Sequence, residues 1–196
     1  SQVATFAAGP VRRTRESVLA ARAYLAAIRP TGGTNVHDAL LEALRQPHTE
    51  GTLPIVLFLT DGLPTVGRTS EVEIREMVAK ANVAGRRIFT FGVGNDVNVP
   101  LLDRISDATR ATATYVLPDE DVELKVAKVF RRLYGPVLAD VELEVVGPDG
   151  AVDTRRVREL MPERVPDLFE GDQLVLLGQY RGEEPLRFRL SGNFLG

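Results

Sequence analysis

The sequence has no cysteine and no tryptophan, and it has only two histidines among 196 residues. Without cysteine there is no disulfide bond, no thiolate metal site and no cysteine nucleophile. The redox compartment stays open, because a secreted protein need not contain a disulfide bond.

An excess of charge of one sign is also missing, as is any long apolar run. The formal net charge is −3, and acidic and basic residues are interspersed. No global field would therefore draw the chain to nucleic acid or to an anionic membrane, and we interpret the arginine clusters at residues 12–15 and 155–158 as solvated surface. No apolar run approaches the roughly 20 residues that span a bilayer. The hydrophobic fraction of 44% is enough for a globular core.

Motifs for catalysis are absent as well. Only His37 and His48 could act as imidazole bases, and neither has a nucleophile motif around it. There is no Gly-x-Ser-x-Gly elbow and no Gly-x-x-x-x-Gly-Lys-Ser/Thr phosphate loop, and the Gly92-Val93-Gly94 turn lacks the third glycine of a dinucleotide fingerprint. We predict that the chain is not an enzyme.

Residues 1–135 alternate strand-like apolar runs with amphipathic helices. Strands are expected at residues 3–7, 55–59, 88–93 and 112–117, and a helix at residues 15–29 that Pro30 would stop. The run at 55–59 is apolar without alternation, which favours a central strand buried on both faces. Ser70 and Glu73 form a capping-box pattern for a later helix. This order predicts an α/β fold, an open and mostly parallel sheet with helices on both faces.

The pattern changes after Gly135-Pro136, from helical periodicity to alternation. Val141, Leu143 and Val145 are expected to share one face of a strand, and further strands are expected at 174–177 and 186–190. We therefore predict a second domain at residues 136–196, a β-rich segment. It is small for independent stability, and we expect it to need a partner sheet.

Two loops of the predicted sheet carry oxygen-bearing side chains. Asp61 directly follows the most apolar strand, and Gly62 lets the backbone turn away after it. Thr34 lies in a Gly32-Gly33-Thr34-Asn35 loop just ahead of a helix. In open α/β sheets ligands bind at the carboxyl ends of the strands, and hard divalent cations prefer oxygen ligands. Each motif alone has a simpler interpretation, since Thr-Asp-Gly is commonly a turn and Thr34 or Asn35 commonly a helix cap.

The order of these motifs resembles the von Willebrand factor A family. The matching stretches are Gly32-Gly33-Thr34-Asn35 with Asp38-Ala39-Leu40, the run from Ile55 to Gly62, and Phe91 to Asn98. The resemblance implies a metal-ion-dependent adhesion site. In it, Thr34 would supply a hydroxyl and Asp61 a direct or water-mediated contact to Mg²⁺, or to Mn²⁺ or Ca²⁺. An aspartate or glutamate of a protein partner would complete the coordination.

One departure from the family pattern concerns its first metal loop. The family's Asp-x-Ser-x-Ser loop follows its first strand, and these 196 residues contain no such triplet. We therefore expect an A-type domain that lacks its first strand, with the strand supplied from upstream of Ser1 or by another chain. The cation would then be held weakly or not at all. A metal-independent structural or scaffolding module of the cell envelope is the alternative function.

The tail narrows the resemblance. Residues 165–178 resemble the segment after the A domain of inter-alpha-trypsin inhibitor heavy chains and their bacterial relatives. The Asp-Pro-His-Phe segment, to which those heavy chains link glycosaminoglycan, is missing, so that activity is not implied. The resemblance implies an extracytoplasmic location, in the cell envelope or secreted.

Overall fold

The structure is a computed structural model that describes residues 3–29, 32–133 and 136–194. The chain divides into two compact units, Ser1–Thr109 with Ala113–Pro118, and Arg110–Thr112 with Asp119–Gly196. The predicted helix stop at Pro30 and the predicted domain end at Gly135 lie outside the described residues, so the domain boundary stays a prediction.

The first unit contains a parallel sheet of three strands. They are β1 (Ile55–Thr60), β2 (Arg87–Val93) and β3 (Ala113–Val116), hydrogen-bonded in the order β1-β2-β3. The register pairs Ile55 with Arg87 and Thr60 with Gly92, so β1 and β2 end at the same edge of the sheet. The predicted parallel α/β sheet is confirmed. The prediction that residues 55–59 form a central strand buried on both faces is wrong, because β1 is an edge strand of the described sheet and Leu59 is 48% exposed.

The described part of this unit contains helices α1 (Arg15–Ala27), α2 (Val36–Arg45), α3 (Glu71–Ala81) and α4 (Val99–Ala108). The core joins one stripe of α2, α3 and α4 to strand side chains, because residues three and four apart share a helix face. Its buried members are Val36, Leu40, Leu44, Ile74, Val78, Ile88, Leu101 and Ile105. Burial of each such Leu or Ile stabilises the fold by roughly 1.5–3 kcal/mol.

Two sequence-based expectations about the beginning of the chain are wrong. Residues 3–7 form no strand, since no described strand pairs with them. The apolar face expected of the amphipathic helix α1 does not reach a core either, because no residue of α1 is buried and Leu25 is 64% exposed. Helix α1 begins at a capping box in which the Thr14 side chain accepts from the Ser17 amide. Its start is therefore set locally rather than by packing.

The predicted capping box at Ser70 is also wrong. Ser70 is the N-cap residue of α3, but its side chain makes no capping hydrogen bond. Glu71 and Glu73 lie in the first turn of that helix, where their negative charge is favourable at the positive end of the helix dipole.

Within the residues that the structure describes, the second unit holds helix α5 (Val122–Arg132) and the strands β4 (Pro136–Val146), β5 (Val157–Met161), β6 (Leu168–Phe169), β7 (Leu177–Tyr180) and β8 (Arg187–Asn193). They form a three-stranded antiparallel sheet, β6-β4-β8, and a two-stranded antiparallel sheet, β5-β7. The β-rich character is as predicted, although β7 begins where the strand predicted at 174–177 was expected to end. No described helix is long and apolar enough to cross a membrane.

Candidate cation-binding site

Thr34 lies immediately before α2, and its hydroxyl is not the helix cap. The N-cap is Asn35, whose side-chain oxygen accepts a hydrogen bond of 3.1 Å from the amide of Asp38. The hydroxyl of Thr34 has no hydrogen-bond partner among the described residues. The capping interpretation therefore accounts for Asn35 and leaves the Thr34 oxygen available to a ligand.

Asp61 is exposed and follows the last residue of β1. The turn after it is closed locally, because the Thr60 hydroxyl donates to the Gly62 carbonyl oxygen at 3.1 Å. The Asp61 side chain makes no hydrogen bond or ion pair with the described residues. The structure thus places a free carboxylate at the carboxyl end of β1, as predicted from the position of Asp61 in the sequence.

Three hydrogen bonds hold the loop of Thr34 to the loop that follows Asp61. The Thr34 amide donates to the Thr65 hydroxyl at 2.8 Å, and the Thr34 carbonyl oxygen accepts from the amides of Thr65 (2.9 Å) and Val66 (3.2 Å). A Cβ placed on Gly62 would lie 3.5 Å from the Thr34 hydroxyl oxygen. The two loops are therefore adjacent, and the Thr34 hydroxyl lies beside the residue next to Asp61.

Gly33 permits this close approach of the two loops. A Cβ on Gly33 would lie 2.4 Å from the Thr65 hydroxyl oxygen and 2.6 Å from a methyl carbon of Val66. Both distances are shorter than any ordinary contact of a side chain, so a larger residue would push the loops apart. Gly33 of the sequence motif thus has a packing role.

A polar network lies at the N-cap and first turn of α2, and sequence reasoning did not assign it. One oxygen of the Asp38 carboxylate lies 2.7 Å from Nδ1 of His37. The other oxygen accepts a 2.7 Å hydrogen bond from the side-chain amide nitrogen (Nδ2) of Asn35. The hydrogen bond to His37, and then that to Asn35, lower the pKa of Asp38 below its ordinary value. His37 is 6% exposed, so it has a structural role here. The three-residue spacing of Asn35 and Asp38 was the signal that could have revealed the network.

The donor set can be compared with what a divalent cation needs. Thr34 and Asp61 offer one hydroxyl and one carboxylate, both of which suit Mg²⁺, Mn²⁺ or Ca²⁺. Among the residues that the structure describes, no group of three or more His, Asp or Glu side chains could hold a metal ion. The two residues therefore fit a cation chemically, but they supply only part of a six-ligand shell.

Comparison with known proteins assigns the family. The model of the von Willebrand factor type A domain matches residues 5–114, more than half of the chain, and the chain belongs to this family. Among relatives, inter-alpha-trypsin inhibitor heavy chain H4 of Homo sapiens is 32% identical over 193 residues, which are 93% of this chain and 20% of that protein. Heavy chain H6 of Homo sapiens is 32% identical over 197 residues, 94% of this chain and 14% of that protein.

These matches place the chain among A-type domains of the inter-alpha-trypsin inhibitor heavy chain type. A solved structure, the von Willebrand factor type A from Catenulispora acidiphila, has a TM-score of 0.60 at 21% identity and covers 96% of this chain and 46% of that chain. The predicted family and fold class are therefore confirmed. The chain spans about a fifth or less of the length of the heavy chains that it matches.

Proposed function

We propose that the chain is a divalent-cation-dependent protein-binding module that captures an acidic group of a partner. The observation that supports this function best is the pairing of two loops at one sheet edge. It brings the unpartnered hydroxyl of Thr34 beside the turn that presents the unpartnered carboxylate of Asp61. Membership in a family of protein-interaction modules agrees with it.

In this proposal Thr34 and Asp61 hold Mg²⁺, or Mn²⁺ or Ca²⁺, through oxygen. The bound cation would supply positive charge and open coordination positions that favour a carboxylate from an aspartate or glutamate of the partner. Because these residues provide only two of about six ligands, water and other groups complete the shell, and we expect weak affinity. An extracytoplasmic location remains a prediction that rests on the family, and the lack of enzymatic activity remains a prediction that rests on the missing catalytic motifs.

The experiment uses Mn²⁺ as a paramagnetic probe, because it detects weak binding. Micromolar amounts of Mn²⁺ are added to the ¹⁵N-labelled chain, and we expect selective broadening of the amide signals of residues 32–35 and 61–66. Asp61→Asn should abolish the broadening and Thr34→Val should reduce it. Excess Mg²⁺ should restore the signals by competition.

Glu50→Gln is the matched control. Glu50 is an exposed carboxylate in the loop before β1, whereas Asp61 follows the opposite end of the same strand. Six residues of strand separate the two ends by about 20 Å. If Glu50→Gln and Asp61→Asn reduce the broadening equally, or if the broadening is uniform over the chain, the proposal of a cation site at Thr34 and Asp61 is wrong. The metal-independent scaffolding module then becomes the better description.

A further inference from the structure

Arg68 lies next to the contact between the Asp61 loop and helix α2. Gly67 has a φ of +74°, and a Cβ on it would lie 2.9 Å from the side-chain oxygen of Asn35. A positive φ and this close approach both require glycine, so the backbone of residue 67 is fixed against the first turn of α2. The Arg68 side chain therefore starts from a defined position at the rim of the candidate site.

The guanidinium of Arg68 is not held by a neighbouring side chain. Its side chain is exposed, and it forms no hydrogen bond or salt bridge with the described residues. It is near enough to Asp38 for its positive charge to contribute to the lowered pKa of that carboxyl, after the larger effects of His37 and Asn35. Asp38 makes its hydrogen bonds with those two residues and none with Arg68, so the donors of the guanidinium are available to another anion.

We propose that Arg68 is a specificity-determining residue of the site, and that the recognised partner segment carries a second acidic side chain beside the one that reaches the cation. This inference rests on the proposed function. A guanidinium can bind a carboxylate through two parallel hydrogen bonds, which fix the orientation of the carboxylate as well as attracting it. The cation would thus bind one acidic side chain of the segment, and Arg68 would bind the neighbouring acidic side chain.

Two synthetic peptides serve as probes in the presence of saturating Mg²⁺. One is an acetylated and amidated glycine-rich hexapeptide with a single aspartate, and the other has three consecutive acidic residues. Binding is followed through amide shifts of the ¹⁵N-labelled chain at constant ionic strength. We expect the triacidic peptide to bind roughly two- to five-fold more tightly, the range for an exposed ion pair. Arg68→Gln should reduce this preference, because the affinity for the triacidic peptide should fall by a larger factor than the affinity for the monoacidic peptide.

Arg45→Gln is the matched control, since it removes the same charge from an exposed position in the last turn of α2. The 10 residues of α2 place it about 15 Å along the helix from the candidate site. A preference for the triacidic peptide that Arg68→Gln leaves unchanged, or that falls equally in both variants, would overturn the role of Arg68. If the monoacidic peptide shows no Mg²⁺-dependent binding to the unsubstituted chain, the proposed function itself fails and this inference falls with it.

Discussion

The backbone amide of Thr34 donates a 2.8 Å hydrogen bond to the side-chain hydroxyl of Thr65, a residue 31 positions later in the chain. This bond crosses from the loop that precedes α2 to the loop that follows β1. It fixes the distance between Thr34 and the turn after Asp61, which no local interaction within either loop could do. The geometry of the candidate site therefore depends on Thr65, a residue that need not contact the cation.

Replacement of Thr65 should separate the effect of its hydroxyl from that of its shape. Thr65→Val keeps the branched side chain but removes the acceptor for the Thr34 amide, so we expect a loss of about 0.5–1.5 kcal/mol in the free energy of unfolding. Thr65→Ser keeps the acceptor and should lose less. Urea denaturation measures both values. A larger loss in Thr65→Ser than in Thr65→Val would show that the methyl group, and not the hydrogen bond, stabilises the loops.

Substitution of Gly33 tests whether the close approach of the loops is required. The added methyl of Gly33→Ala would lie far inside contact distance of Thr65 and Val66, and we expect a loss of about 1–3 kcal/mol from overpacking. Gly32→Ala is the comparison, because Gly32 has a φ of +82° but open space around it, so only backbone strain of about 1 kcal/mol is expected. Thermal denaturation ranks the two. The packing argument is wrong if Gly32→Ala proves the more damaging.

The parallel sheet was predictable because continuous apolar runs and helical periodicity are local signals. The exposed position of Asp61 at the carboxyl end of β1 was predictable for the same reason, since it follows the run at 55–59 directly. Residues 3–7 were predicted wrongly, because five strand-like residues become a strand only when a neighbouring strand pairs with them. The contact of Thr34 with Thr65 could not be predicted either, since hydrogen bonds between distant loops depend on how the helices pack.

Arg86 illustrates the same limit, and it leads to a further prediction. This arginine is only 5% exposed, and its guanidinium donates to the carbonyl oxygen of Gln46, the C-cap residue of α2. Arg86→Met should leave that carbonyl without its donor and lower the free energy of unfolding by about 1–3 kcal/mol. Arg86→Lys keeps a cationic donor and should recover part of the loss. Chemical denaturation of both variants tests this, and a Met variant as stable as the unsubstituted chain would contradict it.

The last prediction concerns the acid stability that Asp38 provides. Hydrogen bonds from His37 and Asn35 lower the pKa of Asp38 below its ordinary value of 3.8, which means that folding favours the ionised carboxyl. This contribution is fully present above the unfolded-state pKa and is lost as the pH falls through the folded-state pKa. Asp38→Asn cannot make the contribution at any pH. We therefore expect the variant to be less stable than the unsubstituted chain at about pH 5, with a gap that narrows as the pH falls below about 3.8.

Urea denaturation at half-unit steps of pH between about 5 and 2.5 measures this gap for the unsubstituted chain and for Asp38→Asn. A gap that stays constant over the whole range would mean that Asp38 stabilises α2 through its shape and not through its charge. A gap that widens toward low pH would reverse the sign of the argument, because the folded state would then favour the protonated carboxyl. Narrowing below the unfolded-state pKa is the only result that agrees with an ionised Asp38 held by His37 and Asn35 at the start of α2.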